Sequence, residues 1–165
     1  RRWNIVFHSA PAEAVLARSS RAFLAKPLTF MNRSGLAVSD LQHYYRVSLS
    51  DLLIVTDDVN LPLGRLRARR QGSPGGHNGL RSVIESLGTQ QFSRLRIGVG
   101  RGDPGRRLTG RVLSRFNDGE RPEIDDAVGY AATAVDLFVD FGIESMMNEF
   151  NQHEVDEVDG DKKGK

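Results

Sequence analysis

The sequence predicts a single three-layer α/β domain, with a mixed central sheet flanked by helices, C-terminal helices and a disordered tail. Three observations support this class. Apolar runs of strand length alternate with amphipathic helical patterns. An apolar content of 39% and a charged content of 27% are typical of a globular domain. The 165 residues suffice for one core, and no apolar run approaches the ~18 residues of a membrane span.

The first predicted elements are a hairpin and a helix. Two apolar runs, residues 14–17 and 22–25, are separated by Arg-Ser-Ser-Arg, which is typical of a hairpin. Pro27 then predicts the edge or the end of a strand. Ser34 is a suitable cap for a helix that runs through Arg46. The residues expected to face the core from that helix are Leu41, Tyr44 and Tyr45.

The middle of the chain predicts three more strands. Residues 52–55 read Leu-Leu-Ile-Val, an uninterrupted run typical of a strand covered on both faces. Residues 65–69 alternate arginine with leucine or alanine, which predicts one arginine face and one apolar face. Residues 94–100 predict the third strand, and the residues 101–110, rich in glycine and proline, predict a mobile loop.

The C-terminal part predicts two helices and a tail. A long helix over residues 120–141 should bury one stripe of apolar side chains, and a shorter helix covers 143–150. No large apolar periodicity remains after that, so we expect a domain of residues 1–151 and a charged, disordered tail of 152–165. The predicted buried stripe is Ile124, Val128, Ala131, Val135 and Phe138.

A glycine-rich stretch, residues 72–79, lies between the arginine strand and a helical pattern. Its four glycines and one proline give a pliant backbone directly before a helix N-terminus, a combination that favours an anionic ligand. The formal net charge is +2, and before the tail Lys26 is the only lysine, so the positive charge is nearly all arginine. Arginine is a good phosphate ligand, although a GC-rich genome produces the same bias.

Polar side chains follow three of the predicted strands. Asn32 comes after the hairpin, Asp57 after the apolar strand, and His77 with Asn78 after the arginine strand. Ligands of α/β sheets collect beyond the carboxyl ends of strands, so we expect these groups to converge. An amide can stabilise an oxyanion, a carboxylate can orient an imidazole or a water, and an imidazole can move a proton. This chemistry suits hydrolysis of an acyl bond without a metal or a covalent intermediate.

Each candidate also has a purely structural alternative. Asn78 could cap the following helix, Asn32 could be a turn residue, and Asp57 could hold a loop amide. The remaining alternatives are a structural loop residue for His77, core filling for Met31, and a solvated strand face for arginines 65, 67 and 69.

The sequence offers no site for a metal or a cofactor. It has no Walker loop, no zinc-protease helix and no intact dinucleotide-binding loop, so no cofactor is expected. The absence of cysteine excludes disulfides and thiolate chemistry and is compatible with a cytoplasmic protein.

Four motifs together resemble the bacterial-type peptidyl-tRNA hydrolase family in order and spacing. They are residues 26–35 (KPLTFMNRSG), 53–64 (LIVTDDVNLPLG), 75–80 (GGHNGL) and 94–100 (RLRIGVG). The resemblance implies an enzyme that cleaves the ester between a peptide and the 3′ ribose of tRNA by means of a base-activated water. It also implies a cytoplasmic monomer that needs no cofactor, metal or membrane.

The resemblance further implies a role for each candidate residue. Asp57 matches the aspartate that orients the base histidine, and Asn32 and Asn78 match the asparagines that bind the peptide backbone and position the water. Met31 and His77 match residues that line the substrate pocket. The positions that match the family's phosphate-binding residues are Arg67, Arg69 and Arg96.

The sequence departs from the family pattern at its beginning. The family opens with a strand, a Gly-Asn-Pro-Gly turn and a Thr-Arg-His-Asn segment that carries the base histidine, and these motifs are not found in the 165 residues. We therefore expect an N-terminally incomplete record, which lacks the first strand and most of the first helix. The alternative is a hydrolase-like tRNA-binding or RNA-binding module with little or no activity. Neither His8 nor His43 is expected to be the base.

Overall fold

The computed structural model describes residue 3, residues 5–102 and residues 112–151. The chain separates into two compact units, one of Arg1–Leu52 with Gln71–Phe92 and one of Leu53–Arg70 with Ser93–Lys165. The predicted α/β class is confirmed, and the strands are distributed over two three-stranded sheets, one in each unit. The predicted tail 152–165 and residues 103–110 of the predicted loop lie outside the described residues.

The sheet of the first unit is an antiparallel meander of β1 (His8–Ser9), β2 (Ala14–Arg18) and β3 (Phe23–Pro27). The predicted hairpin is confirmed, and Pro27 lies at the end of the strand, opposite Ala14. The turn between β2 and β3 is closed by Ser19, whose Oγ accepts hydrogen bonds from the main-chain N–H of Arg21 and Ala22. This serine is the local reason that the polar Arg-Ser-Ser-Arg segment reverses the chain.

The first helix, α1 (Ser34–Tyr44), continues directly from a 3₁₀ turn over Met31–Arg33. The prediction that Ser34 caps this helix is wrong: the capping position is Arg33, and no side chain bonds the first turn. The preceding turn already engages the main chain, since the Ser34 N–H donates to the Met31 carbonyl. The orientation predicted for Tyr44 is also wrong, because this residue is 66% exposed. Leu41 is buried as predicted, and Tyr45 packs against the same cluster.

The second helix, α2 (Asn78–Leu87), follows the glycine-rich stretch where a helical pattern was predicted, and its Leu80 and Val83 are buried. It crosses α1 at very short range. A Cβ atom at Gly35 would coincide with the main-chain carbonyl of Ser82, so only glycine fits there. The Gly35 N–H also donates to the buried Ser82 Oγ at 3.0 Å. This crossing fixes the separation of the two helices in the first unit.

The sheet of the second unit is mixed and has the order β4-β6-β5. It consists of β4 (Leu53–Asp58), β5 (Leu66–Arg69) and β6 (Ser93–Gly98); β6 runs parallel to β4 and antiparallel to β5. The prediction that both faces of β4 are covered is wrong at Val55, which is 45% exposed. Strand β4 is an edge strand within the described part of the chain, so it has fewer neighbours than a central strand.

One long helix, α3 (Arg121–Phe150), packs against one face of this sheet. Gly142 has non-helical dihedrals (φ 79°, ψ −176°) and divides it, which confirms the predicted break between residues 141 and 143. The predicted burial of Val128 is wrong, because this side chain is 56% exposed. Alanines take the contact positions instead, since a helix can approach a sheet closely only through small side chains. The buried residues of α3 are Ile124, Ala127, Ala131, Ala134, Phe138 and Met146.

No helix within residues 5–102 and 112–151 is both long enough and apolar enough to cross a bilayer.

Candidate active site

The first unit brings together the 3₁₀ turn that carries Met31 and Asn32 and the start of α2. Gly79, the second residue of α2, lies between the two elements and is buried. A Cβ atom at this glycine would lie 2.6 Å from Met31 Sδ and 2.9 Å from His77 Cε1. The thioether and the imidazole therefore flank the same backbone position. Because no side chain is present at Gly79, the two segments that carry the predicted asparagines can approach each other.

The cap of α2 is His77 and not Asn78. The His77 Nδ1 accepts a hydrogen bond from the main-chain N–H of Leu80 at 3.1 Å. Since Nδ1 is the acceptor, the proton of the neutral ring belongs on Nε2. The alternative that Asn78 serves as the cap is wrong, because Asn78 is the first helical residue and is exposed. A structural role for His77 is thereby established, and the amide of Asn78 is not needed for the helix terminus.

Asn32 lies on an exposed and unusually apolar turn. The core-filling alternative for Met31 is wrong, since this residue is 55% exposed, and its neighbour Phe30 is 80% exposed. Leu28 is 62% exposed as well. The Ser34 hydroxyl contacts Met31 Sδ at 3.9 Å and thus helps to place the thioether. An exposed amide among apolar side chains is a surface that can bind a peptide backbone and its side chains together.

In the second unit, Asp57 lies within β4, one residue before its end, and is half-buried. It was expected just after the strand, but the strand continues through Asp58. Asp57 is paired in register with Ile97, which packs against the core that contains α3. Successive side chains of a strand point to opposite faces, so Asp57 and Asp58 face opposite sides of the sheet.

Sequence reasoning did not single out Asp58, the last residue of β4, whose two carboxylate oxygens are both hydrogen-bonded. It is 8% exposed, and its Oδ2 accepts a hydrogen bond from Arg96 Nη1 at 3.0 Å. Its Oδ1 accepts from the main-chain N–H of Asn60 at 2.8 Å. Asp58 could have been recognised because it lies on the same face of the sheet as the arginines of the neighbouring strand β6. This shared face cannot be inferred until the register of β4 and β6 is known.

The predicted arginine face exists, and it is formed by two strands instead of one. Arg67 of β5 lies directly opposite Arg96 of β6, and Arg69 lies opposite Arg94. The opposite face of the same strands carries Ala68 and Leu95, both of which are completely buried. This pairing therefore concentrates positive charge on one face of the sheet, although like charges directly across a strand pair are unfavourable by themselves.

The arginine face is not an ordinary solvated face. Arg67 and Arg69 are half-buried, and Arg94 is only 1% exposed. Burial, together with the neighbouring charge of Arg96, lowers the pKa of Arg94 to about 10. Arg67 and Arg69 are thus less solvated than the side chains of a free strand face. Arg94 was also missed at the sequence level, although it alternates with Leu95 in the same pattern as the arginines of β5.

The predicted site residues fall into two sets. Met31, Asn32, His77 and Asn78 are assembled in the first unit, and Asp57, Arg67, Arg69 and Arg96 belong to the second. Among residues 5–102 and 112–151, no group of three or more histidine or acidic side chains is arranged as a metal site.

Comparison with known proteins gives a consistent result. The family model described as "Peptidyl-tRNA hydrolase" matches residues 1–158. The chain is 42% identical over 156 residues to the peptidyl-tRNA hydrolase of Geobacillus kaustophilus, with 92% of this chain and 84% of that protein covered. It is 46% identical over 131 residues to that of Syntrophomonas wolfei, with 79% and 70% covered. The crystal structure of peptidyl-tRNA hydrolase from Acinetobacter baumannii superimposes with a TM-score of 0.84 at 30% identity, with 92% and 79% covered.

Proposed function

The chain belongs to the peptidyl-tRNA hydrolase family, and on that premise we propose that it hydrolyses the ester between the peptide and the 3′ ribose of peptidyl-tRNA. The products are a free peptide and a tRNA that can be charged again for translation. We propose further that the protein acts as a cytoplasmic monomer without a metal or a cofactor, as the resemblance of its motifs to the family implies.

The observation that carries this proposal is the pair of asparagine segments that meet around Gly79. His77 supplies the cap of α2, so the amide of Asn78 is available to a substrate. Asn32 belongs to the same 3₁₀ turn as Met31, whose Sδ lies next to Gly79. In the proposed mechanism the two amides bind the peptide backbone and place the attacking water against the ester carbonyl. Fixed amide dipoles stabilise the developing oxyanion because they need no reorganisation during the reaction.

The carboxylate of Asp57 has the orienting role in this mechanism. A carboxylate that accepts a hydrogen bond from an imidazole fixes the tautomer of the ring and stabilises the imidazolium that forms when the ring accepts the proton of the water. We assign this role to Asp57 on the basis of its matching motif, and we assign the role of base to none of the four histidines of the 165 residues. Met31 and His77 are proposed to line the peptide pocket.

The arginine face is proposed to bind the phosphates of the tRNA. Arg67 and Arg96 lie opposite each other, and Arg69 continues the row, so the three can follow a backbone with regularly spaced charges. Each phosphate contact releases condensed counterions, so each lost contact should lower the salt dependence of binding by about 0.7–0.9 in log–log slope. Contacts of this kind fix the register of the RNA without reading its sequence.

Release of peptide from peptidyl-tRNA by the purified protein tests the proposal. Asp57→Asn should lower kcat by about 10²-fold or more, because an unoriented base loses most of its advantage. Asp126→Asn, which removes an exposed carboxylate of α3, is the matched control and should retain full activity. Full activity in Asp57→Asn would remove this residue from the mechanism. Salt-dependent tRNA binding without any turnover, also by a form extended with the family's Gly-Asn-Pro-Gly and Thr-Arg-His-Asn segments, would instead identify a hydrolase-like binding module.

A further inference from the structure

The turn that follows β4 is anchored at Asp58. The Asp58 carboxylate joins Arg96 Nη1 at 3.0 Å and the Asn60 main-chain N–H at 2.8 Å. Its main-chain carbonyl accepts a hydrogen bond from the Val99 N–H at 3.1 Å. The side chain is 9% exposed, and that of its partner Arg96 is 17% exposed. Because its carboxylate makes two of these hydrogen bonds and its main chain makes the third, Asp58 has little freedom and restricts the guanidinium it binds.

The same turn binds a second arginine. The side-chain Oδ1 of Asn60 accepts a hydrogen bond from Arg101 Nη2 at 2.9 Å. The Gly100 N–H donates to the Leu61 carbonyl at 3.1 Å, so the main chain before Arg101 is tied to the same turn. One short segment, Asp58 to Asn60, thus holds a guanidinium from within β6 and another from just beyond it.

The chemistry of this arrangement suits a phosphate. It lies at the carboxyl ends of the parallel strands β4 and β6, where α/β sheets bind their ligands. One carboxylate, that of Asp58, and one neutral amide, that of Asn60, hold the two guanidinium groups. A guanidinium has five N–H donors, and an anchoring bond through one nitrogen still permits a two-point contact with phosphate oxygens. Anchoring also reduces the side-chain freedom that is lost when the phosphate binds.

We propose that the Asp58–Asn60 turn positions Arg96 and Arg101 as a phosphate-binding pair for the tRNA backbone. Arg101 thereby joins the tRNA-binding residues, and Asp58 and Asn60 act as positioning residues through the arginines they hold. This inference rests on the proposed function, which already assigns Arg96 to the tRNA surface.

Removal of the Asp58 carboxylate changes the tRNA affinity in opposite directions for the two roles that Asp58 could have, positioning of Arg96 or neutralisation of nearby positive charge. If Asp58 only cancelled positive charge, its removal would strengthen tRNA binding. If it positions Arg96, its removal weakens binding even though the protein becomes more positive. The salt slope separates the same two cases, because it decreases when a phosphate contact is lost and not when a carboxylate is removed at a distance.

The first experiment measures the affinity of the full chain for deacylated tRNA over a range of salt concentrations. Arg101→Gln should weaken binding by about 3- to 10-fold and reduce the salt slope by about 0.7–0.9. The matched control is Arg121→Gln, which removes the same charge from an exposed arginine already paired with Asp125. Asn60→Ala leaves the charge unchanged, and it should weaken binding in the same direction but add nothing in the Arg101→Gln background.

The second experiment concerns Asp58. Asp58→Asn should raise KM for peptidyl-tRNA about 3- to 10-fold while kcat stays within about twofold, and Asp58→Glu should restore part of the loss. It should also lower the salt slope of tRNA binding, which a loss of stability alone would not do. Thermal unfolding identifies the temperature at which each variant is fully folded, and the binding is measured there.

The outcomes separate this inference from the function on which it rests. In one outcome, Arg67→Gln and Arg96→Gln weaken tRNA binding, but Arg101→Gln behaves like the control Arg121→Gln. The proposed phosphate-binding pair of Arg96 and Arg101 is then overturned, and the proposed tRNA surface stands. Tighter binding in Asp58→Asn would overturn the positioning role. If Arg67→Gln and Arg96→Gln also leave affinity and salt slope unchanged, the tRNA surface itself fails and this inference fails with it.

Discussion

The side-chain amide of Asn151 pairs with both main-chain groups of Ala68. Its Oδ1 accepts from the Ala68 N–H at 3.0 Å, and its Nδ2 donates to the Ala68 carbonyl at 2.9 Å. An amide side chain presents one donor and one acceptor, as a residue of a neighbouring strand does. Asn151 therefore continues the hydrogen-bonding ladder beyond β5, which is an edge of its sheet in the described part of the chain. An ion pair between Arg70 and Glu144 joins the same edge to α3.

Asn151→Ala should destabilise the protein by about 1–3 kcal/mol, because it leaves the N–H and carbonyl of a fully buried residue without this partner. Asn151→Asp should be no better, since a carboxylate cannot donate to the Ala68 carbonyl. Urea unfolding measures both effects. The control is Asn148→Ala, which truncates an exposed asparagine of α3, the helix that ends directly before Asn151. Equal stabilities for the changes at 148 and 151 would show that the amide pairing contributes nothing.

Two glycine-to-alanine changes should act in opposite directions. Gly35→Ala places a Cβ onto the carbonyl of Ser82, so α1 and α2 must separate, at a cost of about 1–3 kcal/mol or more. Gly129→Ala places a Cβ in open space within α3, and it should stabilise by about 0.5–1 kcal/mol through helix propensity. Denaturant unfolding measures the free energy of unfolding of both variants and of the parent protein. A neutral Gly35→Ala would contradict the close crossing of the helices.

Gly79→Ala should lower activity more than stability. The new Cβ meets the end of the Met31 side chain and the edge of the His77 ring, and the thioether can move away at modest cost. The displacement alters the place where the two asparagine segments meet, so kcat/KM should fall about tenfold or more for a shift of this size. Shortening the clashing side chain in the double variant Gly79→Ala/Met31→Ala should recover stability but not activity. Unchanged kcat/KM in Gly79→Ala would remove this junction from the active site.

His77 should show separable contributions to folding and to substrate binding. His77→Ala removes the cap of α2 and should destabilise by about 0.5–2 kcal/mol. His77→Asn supplies another capping oxygen and should recover most of that stability. If His77 also lines the pocket, KM for peptidyl-tRNA should remain raised in His77→Asn. If His77→Asn recovers both the stability and the KM of the parent protein, His77 acts only as the cap of α2 and does not contribute to substrate binding.

Buried Arg94 should make stability depend on pH in the alkaline range. Burial and the neighbouring charge of Arg96 lower its pKa to about 10, so the folded state binds this proton more weakly than the unfolded state. The destabilising effect of the charge is fully present below a pH of about 10 and is relieved as the pH rises above the folded-state pKa towards the higher pKa of the unfolded state.

Comparison with Arg94→Met tests this dependence. Because the charge is costly at neutral pH, Arg94→Met should be at least as stable as the parent protein at pH 7. The difference in free energy of unfolding in favour of Arg94→Met should shrink when unfolding is measured at a pH slightly above 10. Arg81→Met, which replaces an exposed arginine of α2, should show no such trend. An advantage that grows with pH would contradict the sign of the shift.

Local patterns were sufficient to predict several parts of the fold. The Arg-Ser-Ser-Arg segment predicted the hairpin because its turn chemistry is contained in four residues. The alternation in residues 65–69 predicted the arginine face because strand geometry has a strict period of two. The glycine between residues 141 and 143 predicted the break in α3 because few other residues adopt its backbone conformation.

Other features depend on contacts between distant segments and could not be read locally. The spacing of apolar residues in α3 selected Val128, but the close approach of the helix to the sheet selects alanines such as Ala134. Asp58 could not be preferred over Asp57 without the register of β4 and β6. His77 and not Asn78 is the cap because α2 begins at Asn78, one residue before Gly79, where the helix was expected to begin. In each case the deciding neighbour is far away in the chain or depends on one residue of register.

The break at Gly142 makes the end of α3 a separate cooperative unit. Residues 143–150 form only about two helical turns, which is too short to be stable alone in water. Their helicity therefore depends on Met146 in the core and on the contacts of Glu144 and Asn151 with β5. Amide hydrogens of this segment should exchange together, at a free energy below that of the residues before Gly142, and a protease should cut here before it cuts elsewhere in α3.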